Sequence, residues 1–424
     1  VTDLAWIEKS LTAARPQAVA ALLRNFRDLD TAEEAFQEAC LRALKTWPVN
    51  GPPRDPAAWL IFVGRNAALD AVRRKRREEA LPDEDRFSDS DDAESDMAQR
   101  IDDSHYRDDI LRLLFVCCDP VLPANQQIAL ALRIISGLSV KEIARAFLVG
   151  ESAMEQRITR AKRKVGGSHV SFEAPGAVER AERLASVATM IYLVFNEGYS
   201  ASGGTAHVRA PLCDEAIRLA RLLLRLFPAE PEIMALLALL LLQHARTPAR
   251  LDADDAIVVL EEQDRGLWDA GMIAEGLALI EKAVRHRRPG AYQVQAAIAA
   301  LHAQARRPED TDWAQIDILY GTLERLQPSP VVTLNRAVAV GKVRGPAAAL
   351  AMIEPLAAQL SGYFYFHGVK GALLMQLGRA DEAKVAFDHA IARANTAAEA
   401  AHIRSQIDRL IRDAEQSDKA QARP

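Results

Sequence analysis

The stretch "LSVKEIARAFLVGESAMEQRITRAKRKV", residues 138–165, holds two helix openings and ends in a run of cations. Ser139 with Glu142, and Ser152 with Glu155, each have the spacing of a capping box, in which a hydroxyl and a carboxylate satisfy the first orphan N–H groups of a helix. Two short helices are therefore expected. In the second, Met154, Ile158, Ala161 and Val165 recur at helical spacing and would pack on Ile143 and Phe147 of the first. At about 100 degrees per residue, Gln156, Thr159, Arg160 and Arg163 then point away from that core, with Arg157 and Lys164 on the flanks and Ser152 at the start. This is the form of a helix that enters the major groove, where Arg pairs with guanine, Gln with adenine, and the remaining cations hold phosphates. A solvated helical hairpin has the same local pattern. The rest of the chain decides between them.

The chain has 424 residues, 49% of them hydrophobic, which is enough to bury a sizeable core in two or three domains. Its net charge of −5 at first argues against a nucleic-acid partner. The charge is segregated, however: residues 73–77 read Arg-Arg-Lys-Arg-Arg, and "EEALPDEDRFSDSDDAESDMAQRIDD" after them is strongly acidic. Four cysteines, Cys40, Cys117, Cys118 and Cys213, form no CxxC pair and no Cys/His set at zinc spacing. Neither a disulfide framework, nor a metal site, nor a cofactor is expected, and a reducing cytoplasm suits them. No leader pattern opens the sequence, and the longest apolar run, Ile233 to Leu242, is shorter than the roughly 20 residues a membrane helix needs. We read it as a buried helix, with no membrane partner.

Ala, Leu, Arg and Glu dominate throughout, and no series of alternating β-branched strands occurs, so the expected fold class is all-α. Residues 78–104 have few large apolar side chains and several Asp and Ser, and read as an acidic flexible linker. Gly166 and Gly167 are expected to stop the second helix, and helical periodicity resumes after Pro175. Three blocks result: 1–77, 105–165 and 177–424.

In "TAEEAFQEACLRALKTWP" of the first block, Phe36, Ala39, Cys40, Ala43 and Trp47 form an inward stripe. Glu34, Glu38 and Leu41 align opposite them. A leucine exposed between carboxylates suggests a protein partner; the alternative is a solvated surface helix with Glu38 paired to Arg42. Further on, Asp55 is an N-cap candidate with Pro56 at the first helical position. The helix that follows begins apolar and ends basic, presenting Arg65, Asn66 and the Arg/Lys cluster to nucleic acid, although a basic end also offsets the helix dipole.

These residues carry a resemblance. The succession "DLDTAEEAFQEACLRALKTWP", "PAAWLIFVGRNAALDAVRRKRR", an acidic linker, and "ILRLLFVCCDPVLPANQQIALALRIISGLSVKEIARAFLVGESAMEQRITRAKRK" resembles an extracytoplasmic-function (group 4) sigma factor of bacterial RNA polymerase. The third block, with "IYLVFNEGYSASGG", "LCDEAIRLARLL", "YQVQAAIAALHAQA" and "PVVTLNRAVAV", resembles the large tetratricopeptide-like extension of one subgroup. The resemblance implies that Glu34, Gln37, Glu38 and Leu41 belong to region 2.2, which docks on the β′ clamp helices of a core polymerase that also includes the β subunit. It places Trp59 to Arg77 in regions 2.3 and 2.4, which capture bases flipped from the minus-ten element. Asn66 then contacts a base, and Arg65, Arg73, Arg74 and Arg77 face DNA. A base pulled from the stack exposes edges and a π face that a protein can hold in exchange for lost stacking. Trp59 reads equally as core or as a stacking platform. Region 4 is the helix-turn-helix, with Ser152, Gln156, Arg157, Thr159, Arg160 and Arg163 at the minus-thirty-five element of promoter DNA.

The third block repeats internally. A shift of 34 residues places Ala337 on Gly371, Val340 on Leu374, Ala349 on Ala383 and Ile353 on Phe387. Such helix pairs bury their apolar faces only by stacking on neighbours, so an α-solenoid is expected, open to a protein ligand or an intramolecular contact and regulatory in role. Residues 177–330 follow the period poorly. Catalysis has little footing: "FNEGYSASGGTAH" groups Glu197, Ser200 and His207, and "QDRGLWD" groups Asp264, Arg265 and Asp269, but neither spacing assigns a nucleophile, base and orienting acid.

Overall fold

The computed structural model describes residues 5–78, 103–147, 149–167, 177–199, 210–252, 256–394 and 396–408. Among them, β-structure is limited to isolated bridges such as that between Leu251 and Ile257; the rest is helix and connection. Residues 79–102 of the expected acidic linker and the loop carrying Ser200 and His207 lie outside the described residues, while Glu78 and residues 103–104 belong to the flanking helices. The chain forms two compact units, Val1–Leu193 and Val194–Pro424.

In the first unit, α1 (Ala5–Phe26), α2 (Leu29–Asn50) and α3 (Pro56–Glu78) pack on one another. Asp28 opens α2 by accepting from the Thr31 N–H at 2.8 Å, and Asp55 opens α3 by accepting from Ala57 and Ala58 at 2.9 and 3.0 Å. The α2 stripe is inward as its spacing predicts: Phe36, Ala39, Ala43 and Trp47 are buried, with Cys40 half-buried. Trp47 stacks with Trp6 and meets the edge of Trp59, so half-buried Trp59 is part of this aromatic cluster. Helices α2 and α3 cross closely because Gly64 has no side chain; a Cβ there would stand 2.8 Å from the Ala35 carbonyl oxygen.

The second half of this unit comprises α4 (Asp103–Cys117), α5 (Ala124–Ile134), α6 (Val140–Ala146) and α7 (Glu151–Gly167). The Ser139/Glu142 capping box forms, with Ser139 N–H donating to Glu142 at 2.7 Å and Glu142 N–H to Ser139 Oγ at 3.2 Å. The second box does not. Helix α7 begins at Glu151, so Ser152 stands inside its first turn instead of before it, and Gly150 O accepts from Met154 N–H. Gly166 and Gly167 also continue the helix that they were expected to stop. Met154, Ile158, Ala161 and Val165 are buried together with Ile143.

Helix α8 (Ala177–Tyr199) runs across the boundary between the units. The second unit continues through α9 (Ala210–Leu226), α10 (Pro231–His244), α11 (Ala270–Val284), α12 (Ala291–Gln304), α13 (Trp313–Leu326), α14 (Pro330–Arg344), α15 (Pro346–Ile353), α16 (Phe364–Gln376) and α17 (Ala380–Ile391). The apolar run is the interior of α10, where Ile233 to Leu242 are all buried. The repeat is structural: α14/α15 and α16/α17 are successive pairs, and all eight aligned residues are buried. Among the described residues no helix is long and apolar enough to cross a membrane.

Candidate nucleic-acid and polymerase interfaces

Three solvent faces of the first unit carry the expected residues. On α2, Glu34, Gln37, Glu38 and Leu41 are all exposed on one ridge, Leu41 at 54%. Leu44, 48% exposed, continues it three residues on, a position the helical spacing contained and the sequence reading passed over. The Glu38–Arg42 pair also forms, at 3.4 Å with both side chains about half exposed, where such a pair contributes little. The ridge is thus both charged and apolar, and is held rigid from behind by Phe36 and Trp47.

On α3, Arg65 is exposed and Asn66 half-buried one turn after the buried Ile61 and Val63. Arg73, Arg74 and Arg77 lie in the last turns of the same helix; their side chains are outside the described set. On α7, Ser152, Gln156, Thr159, Arg160 and Arg163 are exposed and Arg157 half-buried, opposite the buried stripe. Arg160 Nε donates back to the Gln156 backbone carbonyl, one turn earlier, at 3.2 Å.

A helix-turn-helix with a polar outer face follows a three-helix module with a basic end and a carboxylate–leucine ridge. Comparison of the sequence with family models agrees: residues 11–78 match Sigma-70 region 2, and residues 116–165 match Sigma-70, region 4. The chain belongs to the sigma-70 family, as an extracytoplasmic-function sigma factor with a C-terminal extension. Within the extension, residues 183–284 match a family of unknown function, DUF6596. The sigma factor is also similar to an uncharacterized protein of Rhizobium meliloti (strain 1021), 70% identical over 410 residues that make up 97% of each chain.

What the sequence reading missed in the sigma factor is a polar contact between its region 2 and region 4 modules. Glu33, next to the exposed ridge, is only 4% exposed. Three cations converge on it: Arg133 Nη2 of α5 at 2.7 Å, Lys162 Nζ of α7 at 2.9 Å and Arg15 Nη2 of α1 at 3.5 Å. Lys162 also donates to Asp30 at 2.6 Å. Arg15 crosses between the modules, donating to the Ile134 and Arg133 carbonyls at 2.9 and 3.1 Å while its guanidinium lies over the Phe36 ring. Burial depresses the Arg15 pKa although Glu33 opposes it. Burial alone would depress Lys162 as well, but its bonds to Asp30 and Glu33 outweigh that and hold its pKa above the ordinary lysine value. A second contact joins Arg24 of α1 and Arg112 of α4 to the buried Asp109 at 3.0 and 3.3 Å. A signal for Glu33 was available, because it stands three residues before Phe36 and seven before Cys40, on the inward stripe. Nothing local named its partners.

Of the two groups weighed for catalysis, the one around Asp264, Arg265 and Asp269 has structural duties. Asp264 and Asp269 cap helical turns at the N–H groups of Gly266 and Met272, and Arg265 donates to the carbonyls of His302 and Ala305. Among the described residues no three His, Cys, Asp or Glu come together as a metal site. Burial pushes the thiols up, Cys40 to about 11 and Cys118 and Cys213 to about 12, so they stay protonated and pack as small apolar groups.

Proposed function

We propose that this sigma factor binds core RNA polymerase through the Glu34, Gln37, Glu38 and Leu41 ridge, with Leu44 extending it, against the β′ clamp helices. It then reads the minus-ten element with Arg65, Asn66, Arg73, Arg74 and Arg77, and the minus-thirty-five element with Ser152, Gln156, Arg157, Thr159, Arg160 and Arg163. DNA opening follows from capture of a flipped base, with no bond chemistry. The observation that carries the reading is the exposed leucine of the ridge. Leu41 and Leu44, 54% and 48% exposed and three residues apart, continue the strip begun by Glu34 and Glu38, a mixed surface that fits a partner offering both cations and an apolar groove.

The C-terminal helical unit is proposed to regulate this activity, as a fused domain acts at high effective concentration. In vitro transcription with purified core enzyme and a promoter library tests the whole reading. The chain should give little specific promoter binding alone and robust open complexes with core; specific binding that core does not affect would instead mark an ordinary DNA-binding regulator. Deleting residues 177–424 should change the yield of open complex, and an unchanged yield would remove the regulatory role.

A further inference from the structure

Two motifs that stand far apart in the sequence meet in the C-terminal unit. Tyr199 closes "FNEGY" at the end of α8, and Arg265 and Trp268 belong to "QDRGLWD", just before α11. Arg246, in the turn after α10, joins them: its Nη2 donates to the Tyr199 hydroxyl at 2.7 Å, and its Cζ lies 6.0 Å from the centre of the Trp268 ring. Arg265 lies over the same ring at 4.8 Å. Arg250 lies over the Tyr199 ring at 3.6 Å and donates to the Tyr199 carbonyl. Three guanidinium groups are thus gathered around two aromatic rings, all within the stretch 183–284 that matches a family of unknown function.

Among the described residues, none of these three arginines has a carboxylate ion-pair partner. The acidic groups of the neighbourhood are engaged elsewhere: Asp214 with His244, Asp310 with Arg307, and Asp264 and Asp269 as helix caps. Burial, and then the Arg246 charge, hold Arg265 below the ordinary arginine pKa against the weaker pull of Glu309 and Asp310. His302 on α12 is pushed down to about 4, by burial first and by Arg246 and Arg265 next, as expected where positive charge is left uncompensated. Two donors also lack a protein acceptor. They are the indole N–H of Trp268, a residue 6% exposed, and the Nε–H of Arg265, both buried. Buried polar groups are ordinarily paired, so these two call for an acceptor from outside the chain.

We propose that this cluster is a binding site for a phosphate group, held by Arg246, Arg250 and Arg265 with the Trp268 indole N–H as an uncharged donor. A water could accept from Trp268 and Arg265 but would leave three positive charges together in a partly buried place. A carboxylate would cancel one of them. A phosphate carries close to two negative charges and has enough terminal oxygens to meet guanidinium forks and the indole at once. The site is independent of the promoter reading.

The test is calorimetric titration of the full chain at constant ionic strength, with inorganic phosphate and glycerol 2-phosphate as probes and acetate as the control. One saturable site should appear for phosphate, with a matching rise in melting temperature. Comparable binding of both probes marks free phosphate as the ligand, and tighter binding of the ester marks a phosphorylated small molecule. The basic ends of the region 2 and region 4 modules also attract phosphate, so the variants locate the site. Arg246→Gln, which keeps a donor for Tyr199, and Trp268→Phe, which keeps the ring and loses the N–H, should each weaken binding by about tenfold or more at unchanged helicity. Arg285→Gln, at an exposed position on α11, should bind as the wild type does. Should Arg246→Gln lose helicity, Trp268→Phe decides. Absence of a saturable phosphate site, acetate binding as tight as phosphate, or full affinity in Trp268→Phe and a folded Arg246→Gln would each overturn the proposal.

Discussion

Gly371 lies so close to Phe387 that a Cβ at position 371 would stand 2.5 Å from the ring Cε1. This contact pulls α16 onto α17 and fixes the last helix pair, whose core also contains Leu374, Ala383 and Ala390. The preceding pair solves the same crossing with Ala337 and Ile353, a slightly larger residue facing a slimmer one. Gly371→Ala should therefore destabilise the C-terminal unit by about 1–3 kcal/mol, as overpacking does in a filled core. Urea unfolding of the full chain, with Gly368→Ala as the control, measures it, since a Cβ at 368 meets its nearest neighbour at an ordinary 3.6 Å.

Asp317, buried on α13, is shared by Arg336 at 2.7 Å and Arg344 at 2.6 Å, both from α14. Burial alone would raise its carboxyl pKa, but the two guanidinium groups outweigh that and hold it below the ordinary carboxylate value of 3.8. A depressed folded pKa contributes stability that is complete above the unfolded value and is lost as pH falls through the folded one. Asp317→Asn should cost about 2–4 kcal/mol near neutral pH, with the deficit closing under acid conditions. Unfolding curves of both proteins at pH 7 and below pH 4 test the sign, and a deficit that widens in acid would contradict the assignment.

Leu41→Glu should leave the melting temperature nearly unchanged, because an exposed position away from special features shifts stability by no more than about 0.5 kcal/mol. Affinity for core polymerase should fall by about tenfold or more if Leu41 is an anchor of the interface. Thermal melting and labelled-core anisotropy separate the two effects. A drop in stability with intact core binding would return α2 to the role of a plain surface helix.

Arg160→Ala should cost about 1–3 kcal/mol on the preferred promoter and relax discrimination at one base position, while Arg74→Ala should weaken all promoters alike and reduce the salt slope by about one. Binding of holoenzyme to a panel of minus-thirty-five variants across a salt series distinguishes them. Equal losses on every variant from Arg160→Ala would make it a phosphate contact.

Much of this was legible locally. The Asp55 cap, the Ser139/Glu142 box, the buried α10 and the paired helices of the repeat all depend on residues within a few turns of one another. The Ser152/Glu155 spacing misled because a box motif depends on where the helix starts, and α7 starts at Glu151, two residues before the Ala153 that a Ser152 cap would require. Neither Glu33 nor Lys162 drew notice. A carboxylate on an inward stripe is a warning that cations are near, yet Arg133 and Lys162 lie 100 and 129 residues further along the chain.

By itself, then, the sequence determined an all-helical protein with two sigma-factor modules and a stacked-helix extension, since periodicity, capping and charge runs are short-range properties. Only the tertiary structure decided that Glu33 is shared by Arg15, Arg133 and Lys162, and so how close the two modules stand. Removing that carboxylate from water is tolerable only where several cations converge, and such convergence is a matter of three-dimensional packing that no local pattern encodes.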